Sequence, residues 1–551
     1  MKKFLLAAGL LPLAACASMA PAPAPSIDGA RLSQHVQVLA SDAFEGRGPA
    51  TPGEDKTVAY LIEQFQAAGA EPGGQLKDGV RGWTQDVPLG RFKIEGPVAA
   101  SVSVGGETLA LRQNEEIAVG PAQTNIDAVS LKGAPLVFLG YGVSAPERNW
   151  DDFKGQDLKG KVGIVLINDP DFETGEGDFG GKAMTYYGRW TYKYEEAARQ
   201  GLAGVLIVHE TAPASYGWAT VKNSFTATQF DIVRENPAAA HASLEAWIQR
   251  DVAVDLFKSA GQDYEALKRA AQGRDFQPVH LNATFSAGFA VAHDVIVSKN
   301  VAARLTGTAR PDEVVIHTAH HDHIGVGLAD AEGDTIYNGA VDNATGTAAL
   351  IELARVYAAE PRTQRSVVFL AVAAEEKGLL GSEYYAANPL YPLEKTVGVL
   401  NTDALKPTGP ARDFTISGQA ELELKDELIA VAARHGRAFS PDPRPEAGSF
   451  FRSDHFPFAK RGVPAISFGG GENLAAGGLA QGQAWSKMYT ATMYHQPADE
   501  WSPDWDFSGM VADLGMLHEL GRDLANSDRW PQWKEGSEFK AVRDASAAAR
   551  R

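Results

Sequence analysis

From residue 314 onward, short apolar runs alternate with longer stretches of helical period. The runs at 314–316, 366–372, 397–400 and 463–468 are β-branched or apolar throughout, the pattern of strands covered on both faces of a mostly parallel sheet. Between and after them, 344–359, 378–387, 422–435 and 507–525 carry apolar residues at helical spacing. Strands alternating with helices through short connections predict an α/β/α sandwich around that sheet. Earlier segments follow a different grammar. Residues 32–39 and 57–68 read as helices flanking a Gly-rich loop, 82–89 as a strand, and 98–119 as short strands with Gly turns. Between 136 and 209 a helical run, 190–200, separates apolar strands, which makes a small α/β unit. Residues 251–273 are largely polar and helical in pattern, and 290–305 returns to strands. The stretch between 468 and 495 reads as a loop rich in Gly and aromatics. The polar, Ala-rich tail, 529–551, reads as frayed.

A chain of 551 residues exceeds the size at which a single core stops growing, so two or more domains are expected. Its 44% apolar and 22% charged residues are those of an ordinary globular protein. The net charge of −18 argues against nucleic acid as a partner. The single cysteine, Cys16, excludes an intramolecular disulfide, and its position suggests a use. Lys2 and Lys3 precede an apolar run, 4–13, too short to span a membrane and laid out as a secretion signal. Leu13-Ala14-Ala15-Cys16 resembles a bacterial lipobox, in which the cysteine becomes the lipidated N-terminus. The expected organisation is a signal peptide at 1–15 and an Ala/Pro tether at 16–28. The body would then be periplasmic or anchored to the outer membrane, touching a membrane only through Cys16.

Chemistry gathers after the strands. The 314–316 run leads into His320-His321-Asp322-His323, and Asp342-Asn343 sits in a Gly-bounded turn ahead of the 344–359 helix. Strand 366–372 leads into Glu375-Glu376, strand 397–400 into Asn401-Thr402-Asp403, and Tyr494-His495-Gln496-Pro497 closes the series. Imidazole and carboxylate are ligands suited to zinc, and open α/β sheets bind ligands at the carboxyl ends of their strands. Adjacent glutamates at a strand end point in different directions, so one can hold metal while the other acts as a base. Two histidines (His320, His495) and three carboxylates (Asp342, Glu376, Asp403) suffice for two ions if Asp342 bridges. Glu375 then remains free.

The order HxD, GAxDNxxG, EE, NxD, YHxPxD resembles the co-catalytic zinc peptidases of the MH clan, which include bacterial secreted aminopeptidases, aminopeptidase Y, glutamate carboxypeptidase and glutaminyl cyclase. The resemblance covers 30–90 (SDAFEGR, TPGE, QDVPL) and 295–525. It implies two Zn²⁺, with His320 and Asp403 on one, Glu376 and His495 on the other, and Asp342 between them. It further implies Glu375 as general base, Asp322 orienting the histidine ligand, and a cis bond between Asp342 and Asn343. Val341 departs from the family, where an Asp is frequent. His321 and His323 are expected to be bystanders, and Tyr494 is a candidate oxyanion donor. Residues 130–275 resemble a protease-associated domain, here inserted as a lid between peptidase segments 29–129 and 276–528. The activity implied is that of an exopeptidase on peptide substrates, with an aminopeptidase as the first reading. A carboxypeptidase is the alternative, since the loop 450–458 offers Arg452 for a carboxylate and Asp454 for an ammonium. A glutaminyl cyclase, usually without a lid, and a receptor-like relative that has lost ligands are further alternatives.

Overall fold

A computed structural model describes residues 26–419 and 421–550. The expected signal peptide, Cys16 and the tether up to residue 25 lie outside the described residues. Two long strands, Thr84–Val104 and Val279–Leu305, pair antiparallel over most of their length and form the spine of the molecule. On one side of Val279–Leu305 follow Arg365–Val372, Arg310–His320, Thr396–Thr402, Ala465–Gly470, Asp413–Ile416 and Ala438–Phe439. On its other side follow Ala128–Phe138, Val162–Leu166, Gly204–His209, Leu244–Gln249 and Ile117–Gly120. The first four strands of the C-terminal set run parallel, as do the first four of the other.

Burial on both faces explains the parallel sheets. In the C-terminal unit, Val315, Val367 and Phe369 point into the core beneath the helices Thr345–Ala359 and Ser508–Asn526. Their neighbours Val314, Ile316, Val368 and Leu370 point the other way, against Tyr385 and Phe458. The second unit repeats the arrangement, with Ile164 and Leu206 on one face and Val165 and Ile207 on the other. Each such side chain contributes about 1.5–3 kcal/mol on leaving water. Thr345–Ala359 is buried nearly all round, so it is fixed by packing on every side.

The short strands expected at 98–119 are present as the end of Thr84–Val104 and as Glu107–Ala110 and Ile117–Gly120, and 290–305 belongs to one long strand because Thr84–Val104 is its continuous partner. Two expectations fail at this level. The Gly-rich stretch after residue 468 holds a helix, Gly478–Thr492. It buries only Gly482 and Tyr489, so it shows little apolar period, and its glycines lower helix propensity by about 1 kcal/mol each. Gly482 is there for space: a Cβ would lie 2.0 Å from the carbonyl oxygen of Glu472. The tail is not frayed either. Trp533 and Phe539 are buried in the C-terminal core, and Lys540–Ala545 forms a helix. Two aromatic anchors in a polar segment were enough to dock it. No helix among the described residues is long and apolar enough to cross a membrane.

Candidate metal centre

The parallel strands end together, and their carboxyl ends carry the cluster. His320 is the last residue of Arg310–His320 and Asp403 the first after Thr396–Thr402, while Glu375 and Glu376 lie just beyond Arg365–Val372. Asp342 stands in the irregular segment Ala340–Ala344 that leads into the helix Thr345–Ala359, and its peptide bond to Asn343 is cis. Asn343 Oδ1 accepts from the amides of Gly346 and Ala404, which ties this segment to the Asp403 loop.

The two oxygens of Asp342 face different histidines. Oδ1 lies 3.2 Å from His320 Nε2, and Oδ2 lies 3.3 Å from His495 Nε2. His320 Nε2 is also 3.3 Å from Asp403 Oδ1, and His495 Nε2 is 3.1 Å from Glu376 Oε2. Ligand atoms of His320, Asp342 and Asp403 all fall within 4.8 Å of one another, as do those of His323, Asp342 and Glu376. Buried acids converging on imidazoles around one shared aspartate are a donor set that fits zinc. Burial alone would raise the Asp342 carboxyl, but hydrogen bonds to His320 and His495 outweigh it and hold the group well below the usual range. Glu375 goes the other way. Burial, opposed by the charge of His320 and aided by those of Asp403, Glu376 and Asp454, pushes it well above the ordinary carboxylate value.

Several supports were not visible as such in the sequence. Asp499, the last residue of YHxPxD, accepts from the amides of Val341 (3.0 Å) and Asp342 (3.1 Å). Arg47, only 1% exposed, donates to the carbonyls of Leu39, His321, Asn338 and Gly339, and so pins the two ligand loops together. Asp322 behaves differently from expectation. Its carboxylate takes the amides of Glu375 (3.0 Å) and Glu376 (3.4 Å), whereas its Oδ1 is 3.7 Å from His320 Nδ1. The ring nitrogen instead meets the backbone carbonyl of Asp322 at 3.1 Å. Asp322 therefore sets the position of the glutamate pair more directly than that of the histidine. His321 is structural, with Nε2 2.9 Å from the Lys299 carbonyl. His323, expected to be a bystander, is fully buried with Nδ1 2.7 Å from Glu376 Oε1.

A cavity of about 420 Å³ opens onto the cluster, lined by Glu375, Glu376, Tyr494 and His495 and, from the second unit, by Arg189, Trp190 and Tyr194. Tyr494 is 44% exposed and stacks on the His495 ring with centroids 3.8 Å apart. Arg452 lies exposed on the cavity wall. Asp454 does not: it is fully buried, and its Oδ1 accepts from Ser382 at 2.6 Å, so it offers no acceptor to a ligand in the cavity. The aspartate starts the short helix His455–Lys460, whose apolar side chains draw it inward.

Two histidine–carboxylate clusters that share Asp342 at the strand ends of a mostly parallel sheet make a candidate metal centre. Residues 300–516 match the model of Peptidase family M28. Among curated proteins, a "Probable zinc metalloprotease" of Leptosphaeria maculans is 30% identical over 199 residues, 31% of this chain and 46% of that protein. One from Pyricularia oryzae is 39% identical over 151 residues, 26% of this chain and 30% of its own length. The chain thus spans less than half the length of these relatives. Among solved structures, an aminopeptidase from Aneurinibacillus sp. strain AM-1 aligns over 92% of this chain and 95% of its own, with TM-score 0.45 and 20% identity.

Proposed function

We propose that the chain is a zinc-dependent exopeptidase that releases N-terminal residues from peptides. The observation that carries this reading is Asp342, whose two oxygens face His320 and His495 while Glu375 stands free on the cavity wall. His320 and Asp403 would hold one ion, Glu376 and His495 the other, with Asp342 shared. Zinc held there supplies an acidified water and a polarised scissile carbonyl. Glu375, half-buried and fixed through its amide by Asp322, takes a proton from the attacking water and returns it to the leaving nitrogen. The Tyr494 hydroxyl, on the same wall, donates to the developing oxyanion. Carboxylate oxygens of Glu375 and Glu376 beside the cavity are acceptors for a free ammonium group.

The test is zinc-loaded protein with paired substrates. Unblocked aminoacyl substrates should be cleaved and their N-acetylated forms spared. A second reading, a carboxypeptidase, is favoured by Arg189 and Arg452, the two cavity-wall arginines without an acidic partner among the described residues, and by the withdrawal of Asp454 from the cavity. Cleavage of N-acetylated peptides from their carboxyl end would establish that reading in place of the first.

A further inference from the structure

The cavity beside the metal centre holds charges that the proposed chemistry does not use. Its acids away from the cluster are matched within the protein. Glu195 and Glu383 meet Lys460, each at 3.1 Å, and Asp231 meets Arg234 at 3.0 Å. Three cations on its wall, Arg189, Lys377 and Arg452, meet no carboxylate among the described residues, and two of them are guanidinium groups that face each other's charge. Arg189 links the short helix Tyr186–Gly188 to the helix Trp190–Arg199 in the second unit, and it is only 7% exposed. Its Nε has no hydrogen-bond partner, and no carboxylate among the described residues pairs with its guanidinium. Burial, reinforced by the charge of Arg452, lowers its pKa to about 10, so it still carries its charge at neutral pH. Arg452 comes from the C-terminal unit and also lacks an acidic partner among the described residues. A buried guanidinium without an anion is unfavourable because its lost hydration is not replaced, and a second one beside it adds repulsion. An anion bound between them removes both penalties, and a planar carboxylate matches the guanidinium fork.

We infer that Arg189 and Arg452 together form a carboxylate-binding subsite, assembled from both units, which selects acidic or carboxyl-terminated groups of the substrate next to the scissile bond. The inference rests on the peptidase reading for its location and on the unpartnered Arg189 for its chemistry. The carboxylate has two sources, the side chain of an acidic residue or the free carboxyl end of a short peptide. Both put the same group in the same cavity.

Binding separates this inference from the activity. Calorimetric titration of the zinc-loaded full chain carrying Glu375→Gln, which should not consume its ligands, is made with Ala-Glu, Ala-Gln and Ala-Gln-amide. Ala-Glu binding at least about tenfold tighter than Ala-Gln identifies the side chain as the ligand group. The same drop from Ala-Gln to its amide identifies the terminal carboxylate. In Arg189→Gln, and in the exposed and structurally safer Arg452→Gln, the responsible ratio should collapse to within about twofold. A ratio within one protein is insensitive to partial loss of fold. Equal affinities for all three dipeptides, binding of none, or ratios untouched by both substitutions overturn the subsite. A carboxylate preference in binding, with no hydrolysis of any peptide by the unsubstituted protein, would sink the peptidase reading and leave the subsite standing.

Discussion

Glu375 and Glu376 are neighbours in the chain and opposites in surroundings. Burial would raise Glu376 and the charge of Asp342 adds to that, yet His323 and His495 outweigh both and bring it down to about 2; Glu375 has no such pair and is pushed up. Glu375→Gln should therefore keep zinc, measured by elemental analysis, while lowering kcat at least ~10²-fold. Glu376→Gln should lose metal first, and a variant of Glu375 that loses its metal would mean the two roles are reversed. His323 carries its own prediction. Its Nδ1 lies 2.7 Å from the Glu376 oxygen that does not face His495, so it holds a ligand in place from behind. His323→Phe should weaken zinc binding about 10–100-fold in chelator competition, the range for removing a group that orients a metal ligand. His323→Asn, which keeps an N–H near the same position, should recover part of it. Equal affinities in all three proteins would return His323 to the role of a packed core residue.

At the scale of elements, parallel strands bring the ligands together because their carboxyl ends share one edge of the sheet. The second unit adds charges that hold its own edge. His241, just before the strand Leu244–Gln249, places Nδ1 2.9 Å from Glu245 Oε1 and Nε2 3.2 Å from Asp231 Oδ2. Burial would lower it, but Glu245 and Asp231 outweigh that and raise its pKa to about 10. Asp231, which also has Arg234, is held low, whereas burial leaves Glu245 raised, so Asp231 is the firmer anion of the pair. The folded state keeps the proton more tightly than the unfolded chain, whose histidine titrates near 6.5. This contribution is therefore complete below about pH 6.5 and is lost as pH rises toward 10. Between pH 7 and 10 the melting temperature should fall several degrees further in the native protein than in His241→Gln. Parallel pH profiles would show that the imidazole is neutral in the fold.

Across the whole molecule, the tail ties the two units together. Trp533 donates from its indole to the Gly462 carbonyl at 2.9 Å and packs on Phe539, with ring centroids 4.9 Å apart. Tyr186 of the second unit lies against Phe456 and Phe539, and Arg148 reaches the Gly536 carbonyl and Glu538. Trp533→Ala should cost about 3–5 kcal/mol, the usual range for emptying a buried aromatic site. Because two units are present, the loss should appear as an earlier first transition in urea, followed by both tryptophan fluorescence and circular dichroism. An unchanged transition would mean that the tail rests on the core without bracing it.

What the chain determined by itself was local: apolar strands, helical spacing, and the order of imidazoles and carboxylates after each strand. Those signals survive in one dimension because a strand end and the residue beyond it move together. The geometry that makes a site of them came from contacts between distant segments. Arg47 bonds to Gly339 across 292 positions and Asp499 to Val341 across 158, and nothing near either residue announces the partner. The same holds for Asp454, turned inward by its helix, and for His323, brought against Glu376. It holds also for the helix Gly478–Thr492, whose glycines suit its packing and hide its pattern. Arg189 and Arg452 are ordinary surface-type residues in sequence. Only tertiary structure places both on the wall of one cavity, one of them buried, because guanidinium desolvation depends on what surrounds the group and not on its neighbours in the chain.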